Sequence, residues 1–124
     1  MTKILIVDDE EDVREFAANF FRRKKIQVIT AGSGEEAIKL VNTEKPQIIL
    51  LDIKMKGMDG IETLKRIKGI DKNIKAIMVT GKNPEEEDAF KRCQQIGAEN
   101  YVHKPLELDE LEEVVMNLIV KIEN

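Results

Sequence analysis

The chain has 124 residues, 42% of them hydrophobic, which suits one domain with a real core and leaves no room for two. Its 20 basic residues against 24 acidic ones leave a net charge of −4, which argues against a general nucleic-acid-binding surface. One cysteine cannot form an internal disulfide, no apolar run approaches the roughly 18 residues of a membrane span, and Asp8 arrives too early for a signal peptide, so a cytoplasmic globular domain is expected.

The first element is Lys3-Ile4-Leu5-Ile6-Val7, a short apolar run rich in β-branched residues and cut off by Asp8-Asp9-Glu10. Val13, Phe16, Ala17, Phe20 and Phe21 then recur at helical spacing, which predicts a helix over Glu11–Lys24 with all three phenylalanines in the core. Arg22 to Lys25 are basic and suit a solvated helix end, with an acidic partner as the second reading. Gln27-Val28-Ile29 reads as the second strand, and Ala37, Ile38, Leu40 and Val41 as a helix beginning near Gly34. Gln47-Ile48-Ile49-Leu50-Leu51 is the third strand, followed by a helix marked by Ile61, Leu64 and Ile67 and stopped by Gly69. Ala76-Ile77-Met78-Val79 is the fourth strand. Asn83-Pro84, followed by acidic residues, opens the next helix, which Gly97 ends. Asn100-Tyr101-Val102 is a weaker fifth strand, and Leu108 to Ile122 carry the stripe of a last helix.

Near-continuous apolar runs suit parallel strands covered on both faces. Five of them alternating with five helices predict an α/β, flavodoxin-like (βα)5 fold. Its parallel sheet would run in the order 2-1-3-4-5 with helices on both faces, and the site would lie beyond the carboxyl ends of strands 1 and 3. At those ends stand Asp8, Asp9, Glu10 and Asp52, with Thr80 and Lys104 at the ends of strands 4 and 5. Converging carboxylates repel, and a hard divalent cation such as Mg²⁺ relieves the conflict with oxygen ligands. Acids and a metal facing a lysine and a hydroxyl describe a phosphoryl pocket, in which a carboxylate can itself be the nucleophile.

The segments Ile6-Val7-Asp8-Asp9-Glu10, Leu50 to Gly60, Val79-Thr80-Gly81 and Lys104-Pro105 together resemble the receiver domain of bacterial two-component response regulators. The resemblance extends over residues 1–124 as one receiver domain. It implies that Asp52 accepts a phosphoryl group from a phosphohistidine, supplied by a sensor histidine kinase or a histidine phosphotransfer protein. It implies Mg²⁺ bound by Asp9 directly, by Asp8 mainly through water, by Asp52 and by the Lys54 carbonyl. Thr80 and Lys104 would hold the phosphoryl oxygens, and Thr80 with Tyr101 would form a switch that alters the surface of the fourth helix, fifth strand and fifth helix for a downstream effector. Such a chain catalyses its own phosphorylation and dephosphorylation. Lys104-Pro105 would be a cis peptide. Lys56 stands where the family usually has proline, which predicts a looser loop. Lys54 and Lys82 flank the site at positions that tune hydrolysis in the family; a lysine cannot take a proton from water, so a long-lived phosphoryl group is expected.

Each residue also has a plainer reading. Asp8-Asp9 alone is a loop or helix cap, Thr80 a strand-end hydroxyl, Lys104 a solvated charge, and Tyr101 a half-buried packing residue. His103 reads as a solvated neighbour of the site rather than a proton carrier, Cys93 as structural, and Met55 and Met58 as loop packing. Gly32-Ser33-Gly34 with Ala37 imitates a dinucleotide-binding loop but follows the second strand instead of the first, so it reads as a tight turn. The competing function is a Mg²⁺-dependent phosphatase or phosphotransferase with an aspartyl-phosphate intermediate. Against it, Asp52-Ile53-Lys54 has no second acid two residues on.

Overall fold

The computed structural model describes residues 2–124. Five strands, β1 (Lys3–Val7), β2 (Gln27–Ala31), β3 (Ile48–Asp52), β4 (Lys75–Thr80) and β5 (Asn100–His103), alternate with five helices. The helices are α1 (Glu11–Arg23), α2 (Gly34–Glu44), α3 (Gly60–Ile70), α4 (Pro84–Ile96) and α5 (Leu108–Glu123). All strand pairs are parallel, and the order is β2-β1-β3-β4-β5, as the alternation predicts.

The period of two along each strand splits the core in half. Ile4, Ile6, Ile48, Leu50, Ile77 and Val79 point to one face, where they meet Ala17, Ala18 and Phe21 of α1 and Leu111, Val115 and Leu118 of α5. Leu5, Val7, Ile49, Leu51, Ala76 and Met78 point to the other, against Ala37 and Val41 of α2, Leu64 and Ile67 of α3, and Cys93 of α4. β3 is buried along its whole length. Each such aliphatic side chain contributes about 2 kcal/mol by leaving water, which holds β3 firmly in the middle of the sheet.

Local chemistry sets the helix ends. Ser33, Asp59 and Asn83 each accept a hydrogen bond from the backbone N–H three residues on, at 3.1, 2.9 and 2.9 Å, capping α2, α3 and α4. Gly97 ends α4 at φ 118°, a conformation that costs glycine little. α3 runs one residue past Gly69: the Asp71 N–H still bonds to the Ile67 carbonyl, so the exposed glycine does not break the ladder.

The phenylalanines of α1 do not all enter the core. Phe21 is fully buried and Phe20 packs at the margin, but Phe16 is 51% exposed. The apolar stripe is wider than the arc that α1 presents to the sheet, and Phe16 falls at its edge. The basic end of α1 is partly paired: Lys24 forms an ion pair with Glu112 of α5 and lies 5.0 Å from the Phe20 ring centre, and Arg22 pairs with Glu15 at 3.5 Å.

Candidate functional site

The sheet order makes β1 and β3 neighbours, and Val7 pairs with Leu51. The next residues, Asp8 and Asp52, therefore leave the sheet side by side. Both are buried, at 3% and 2% exposure. The Cβ of any larger residue at position 60 would lie 2.4 Å from the Asp52 carbonyl oxygen, so Gly60 lets the start of α3 close onto the end of β3.

The cation that joins these acids is Lys104. Its Nζ lies 2.8 Å from Asp52 Oδ2, 3.4 Å from Asp8 Oδ2 and 3.8 Å from Glu10 Oε1. Burial pushes the Asp52 carboxyl from its usual 3.8 up to about 6; the hydrogen bond from Lys104 opposes that rise and the charge of Asp8 adds to it. Desolvation is thus the main cause, ahead of the carboxylate repulsion that the sequence emphasises. Burial alone would lower the Lys104 pKa, but the hydrogen bond and charge of Asp52, together with Asp8, outweigh it and raise it. The Lys104-Pro105 peptide is cis.

Asp8, Asp9 and Glu10 each bring a carboxylate oxygen within 4.8 Å of the others. This all-oxygen set fits a hard cation such as Mg²⁺. Glu10 belongs to the group although the sequence marks it only as a strand-end residue, and Asp52 stands beside it, linked to Asp8 through Lys104. Two further contacts order the loops. Arg14 donates from a guanidinium nitrogen to the Asp8 carbonyl at 2.9 Å. The Lys56 backbone N–H donates to Asp9 Oδ2 at 3.0 Å, a bond that proline could not make. The loop after Asp52 is therefore tied to the acid cluster, not loosened, by the residue at 56.

Lys54 donates its backbone N–H to Asp52 Oδ1 at 3.3 Å, while its side chain and that of Lys82 are exposed. Among the described residues the ammonium paired with Asp52 is that of Lys104 alone. Thr80 is buried, and its hydroxyl donates to the Gly81 carbonyl at 2.8 Å. Tyr101 is 40% exposed, and its ring packs 4.6 Å from that of Phe90 on α4. His103 is a partly exposed neighbour of the site: its Nδ1 is 3.3 Å from the Thr80 hydroxyl. Register could have revealed this contact, since Thr80 pairs with His103 across β4 and β5. Cys93 is fully buried, and burial pushes its thiol up to about 11, which suits a structural role.

On the other side of Lys104 an open groove of about 490 Å³ is lined by Val13, Phe16, Pro105 and Leu106, with Glu10 and Asp12 at its rim. The glycine pair after β2 packs instead of binding: a Cβ on Gly34 would lie 2.3 Å from the Thr63 hydroxyl, so this glycine lets α2 approach α3.

Residues 4–116 match the family model described as the response regulator receiver domain. The chain is 40% identical over 113 residues to sporulation initiation phosphotransferase F of Bacillus subtilis, covering 91% of this chain and 90% of that protein. It is 38% identical over 103 residues to the alkaline phosphatase synthesis transcriptional regulatory protein PhoP of the same organism, where the match spans 83% of this chain and only 42% of the relative. Among solved structures it superposes on a CheY-like response regulator receiver domain protein from Methanospirillum hungatei with a TM-score of 0.89 at 28% identity, covering 99% and 97% of the two chains. A domain-wide match of this kind, on a sheet whose strand ends gather these acids and this lysine, leaves one conclusion: the chain belongs to the response regulator receiver domain family of two-component signalling.

Proposed function

We propose that Asp52 is the phosphoacceptor and that the donor is a phosphohistidine on a kinase or phosphotransfer protein. The observation that carries this reading is the Lys104 ammonium shared between two buried carboxylates, Asp52 and Asp8, with the Thr80 hydroxyl on the next strand end. In the reaction an Asp52 carboxylate oxygen forms a bond to phosphorus as the phosphorus–nitrogen bond of the donor breaks. The departing imidazole keeps the electron pair and takes a proton.

Mg²⁺, when bound, supplies charge neutralisation at the phosphoryl oxygens. Asp9 would hold it directly and Asp8 mainly through water, with Asp52 and the Lys54 carbonyl completing the protein's share. Lys104 keeps Asp52 ionised against burial, then exchanges its bond to the carboxylate for one to a phosphoryl oxygen. Thr80 turns its hydroxyl from Gly81 to a second such oxygen. These contacts exist only with the phosphoryl group in place, so they shift the population of α4, β5 and α5 toward the form that an effector reads. The groove of Val13, Phe16, Pro105 and Leu106, open beside Lys104, suits the apolar flank of a donor protein, whose histidine would then face Asp52. We place the reaction in the cytoplasm; among the described residues no helix is long and apolar enough to cross a membrane.

Lys54 and Lys82 bound the approach of hydrolytic water. Both are donors without acceptor capacity, so the phosphoryl group is long-lived, and Lys54→Asn with Lys82→Glu speeds its loss. The defining test is intact mass after incubation with Mg²⁺ and a small acyl or amido phosphate. Native protein gains one phosphoryl group and Asp52→Asn gains none. Equal labelling of the two proteins removes Asp52 from the role.

A further inference from the structure

The Thr80 hydroxyl has one proton, and that proton goes to the Gly81 carbonyl at 2.8 Å. With the proton placed on that shorter bond, the Thr80 oxygen is left to accept across the 3.3 Å contact to His103 Nδ1, and the tautomer this pairing uses is the one with Nδ1–H. One contact is to the neighbouring backbone and the other to β5, and among the described residues the hydroxyl makes none to Asp52.

The same imidazole touches Tyr101. The two rings meet edge to face with centres 5.1 Å apart, and Tyr101 in turn lies 4.6 Å from Phe90. Thr80, His103, Tyr101 and Phe90 line one cavity of about 330 Å³ between β5 and α4. The cavity gives the rings space to move, and the edge position of β5 leaves Tyr101 partly in water.

We propose that His103 is a positioning residue of the phosphorylation switch: it holds the resting Thr80 hydroxyl through Nδ1–H and passes the hydroxyl's departure to Tyr101 and Phe90 through its ring. The proposal rests on the reading of Asp52 and Thr80 given above. When Thr80 turns to a phosphoryl oxygen, His103 loses its acceptor. The ring is then free to rotate, and its edge contact with Tyr101 is lost or remade. Coupling thus runs through touching side chains from the strand end to α4, with the imidazole as the part that has two arrangements.

The sequence supplies a clean reporter, because Tyr101 is the single tyrosine and the chain has no tryptophan. The experiment follows intrinsic tyrosine fluorescence and intact mass together, while a small phosphoryl donor and Mg²⁺ are added to the full chain. Native protein, His103→Ala and His103→Asn are compared. The asparagine amide can place an N–H near the position of Nδ1, whereas alanine places nothing there. The expected result is that all three proteins gain one phosphoryl group, that the native fluorescence shifts, that His103→Ala loses most of that shift, and that His103→Asn restores a substantial part of it. A merely structural histidine would not give this split between labelling and signal. A full shift in His103→Ala, or no shift in the native protein despite labelling, overturns the proposal. Failure of the native protein to gain mass overturns the phosphoacceptor reading and this inference with it.

Discussion

The end of β3 and the α4–β5 face lie on adjacent parts of one sheet, yet they are held very differently. β3 is buried over all five residues, with strands on both sides and helices on both faces. β5 is an edge strand with one fully buried residue, Val102, and α4 sinks only Cys93 into the core. On the reading proposed above, the phosphoacceptor sits on the first and the aromatic residues of the switch sit on the second. Local stability follows buried apolar contact, so the chemistry is placed where opening is expensive and the signal where rearrangement is cheap.

The largest expected effect breaks this contrast directly. Leu51→Ala removes a fully buried side chain beside Asp52 and is expected to cost about 3 kcal/mol. Phe90→Ala, on the half-buried side of α4, is expected to cost about 1 kcal/mol. Urea unfolding of both variants measures the difference. Equal losses would mean that α4 is as firmly held as β3.

The next effect concerns the cost of the site itself. The fold favours protonated Asp52, because its pKa is raised from 3.8 to about 6 by burial. A group raised in the folded state contributes stability that is fully present below its unfolded pKa and is lost as pH rises through the folded one. Without metal, the native protein should therefore lose about 2–3 kcal/mol between pH 3.8 and about 6 relative to Asp52→Asn, which has no such titration. Unfolding midpoints of both proteins at about pH 3 and about pH 7, on either side of that window, test this. A constant difference between them would show that Asp52 carries no strain.

A smaller effect sharpens the picture of the acid loops. Lys56→Pro removes the backbone donor to Asp9 and should cost about 1 kcal/mol. In an Asp9→Ala background the bond is already gone, and the cost of the proline should largely disappear. A cost that persists there would come from the loop backbone and not from the contact.

The contrast between the two regions also explains what could be read from the sequence. β3 was legible because a strand covered on both faces must be apolar throughout, and Ile48 to Leu51 are. The cap residues Asn83 and Asp59 announce α4 and α3 by chemistry that needs no tertiary context. The convergence of Asp8, Asp52, Thr80 and Lys104 followed from strand order alone. What escaped depends on the angle at which elements meet. The spacing of Phe16 does not say that α1 turns this residue toward an open groove. Glu10 joins the acid group because the chain bends after Asp8, whose Oδ1 accepts from the Glu10 N–H at 2.9 Å. His103 reads as a neighbour of the site, but its contact with Thr80, 23 residues away, is made through strand register and not through local sequence.

On the proposed reading one buried carboxylate, out of a crowded acidic cluster, takes the phosphoryl group. Acyl phosphates are reduced by borohydride, and an aspartyl phosphate becomes homoserine. Native protein phosphorylated in Mg²⁺, reduced and digested should therefore show homoserine at position 52 by peptide mass mapping, with Asp8 and Asp9 unchanged. Homoserine at position 8 or 9 with Asp52 intact, or a phosphoryl group recovered on His103, would contradict the account.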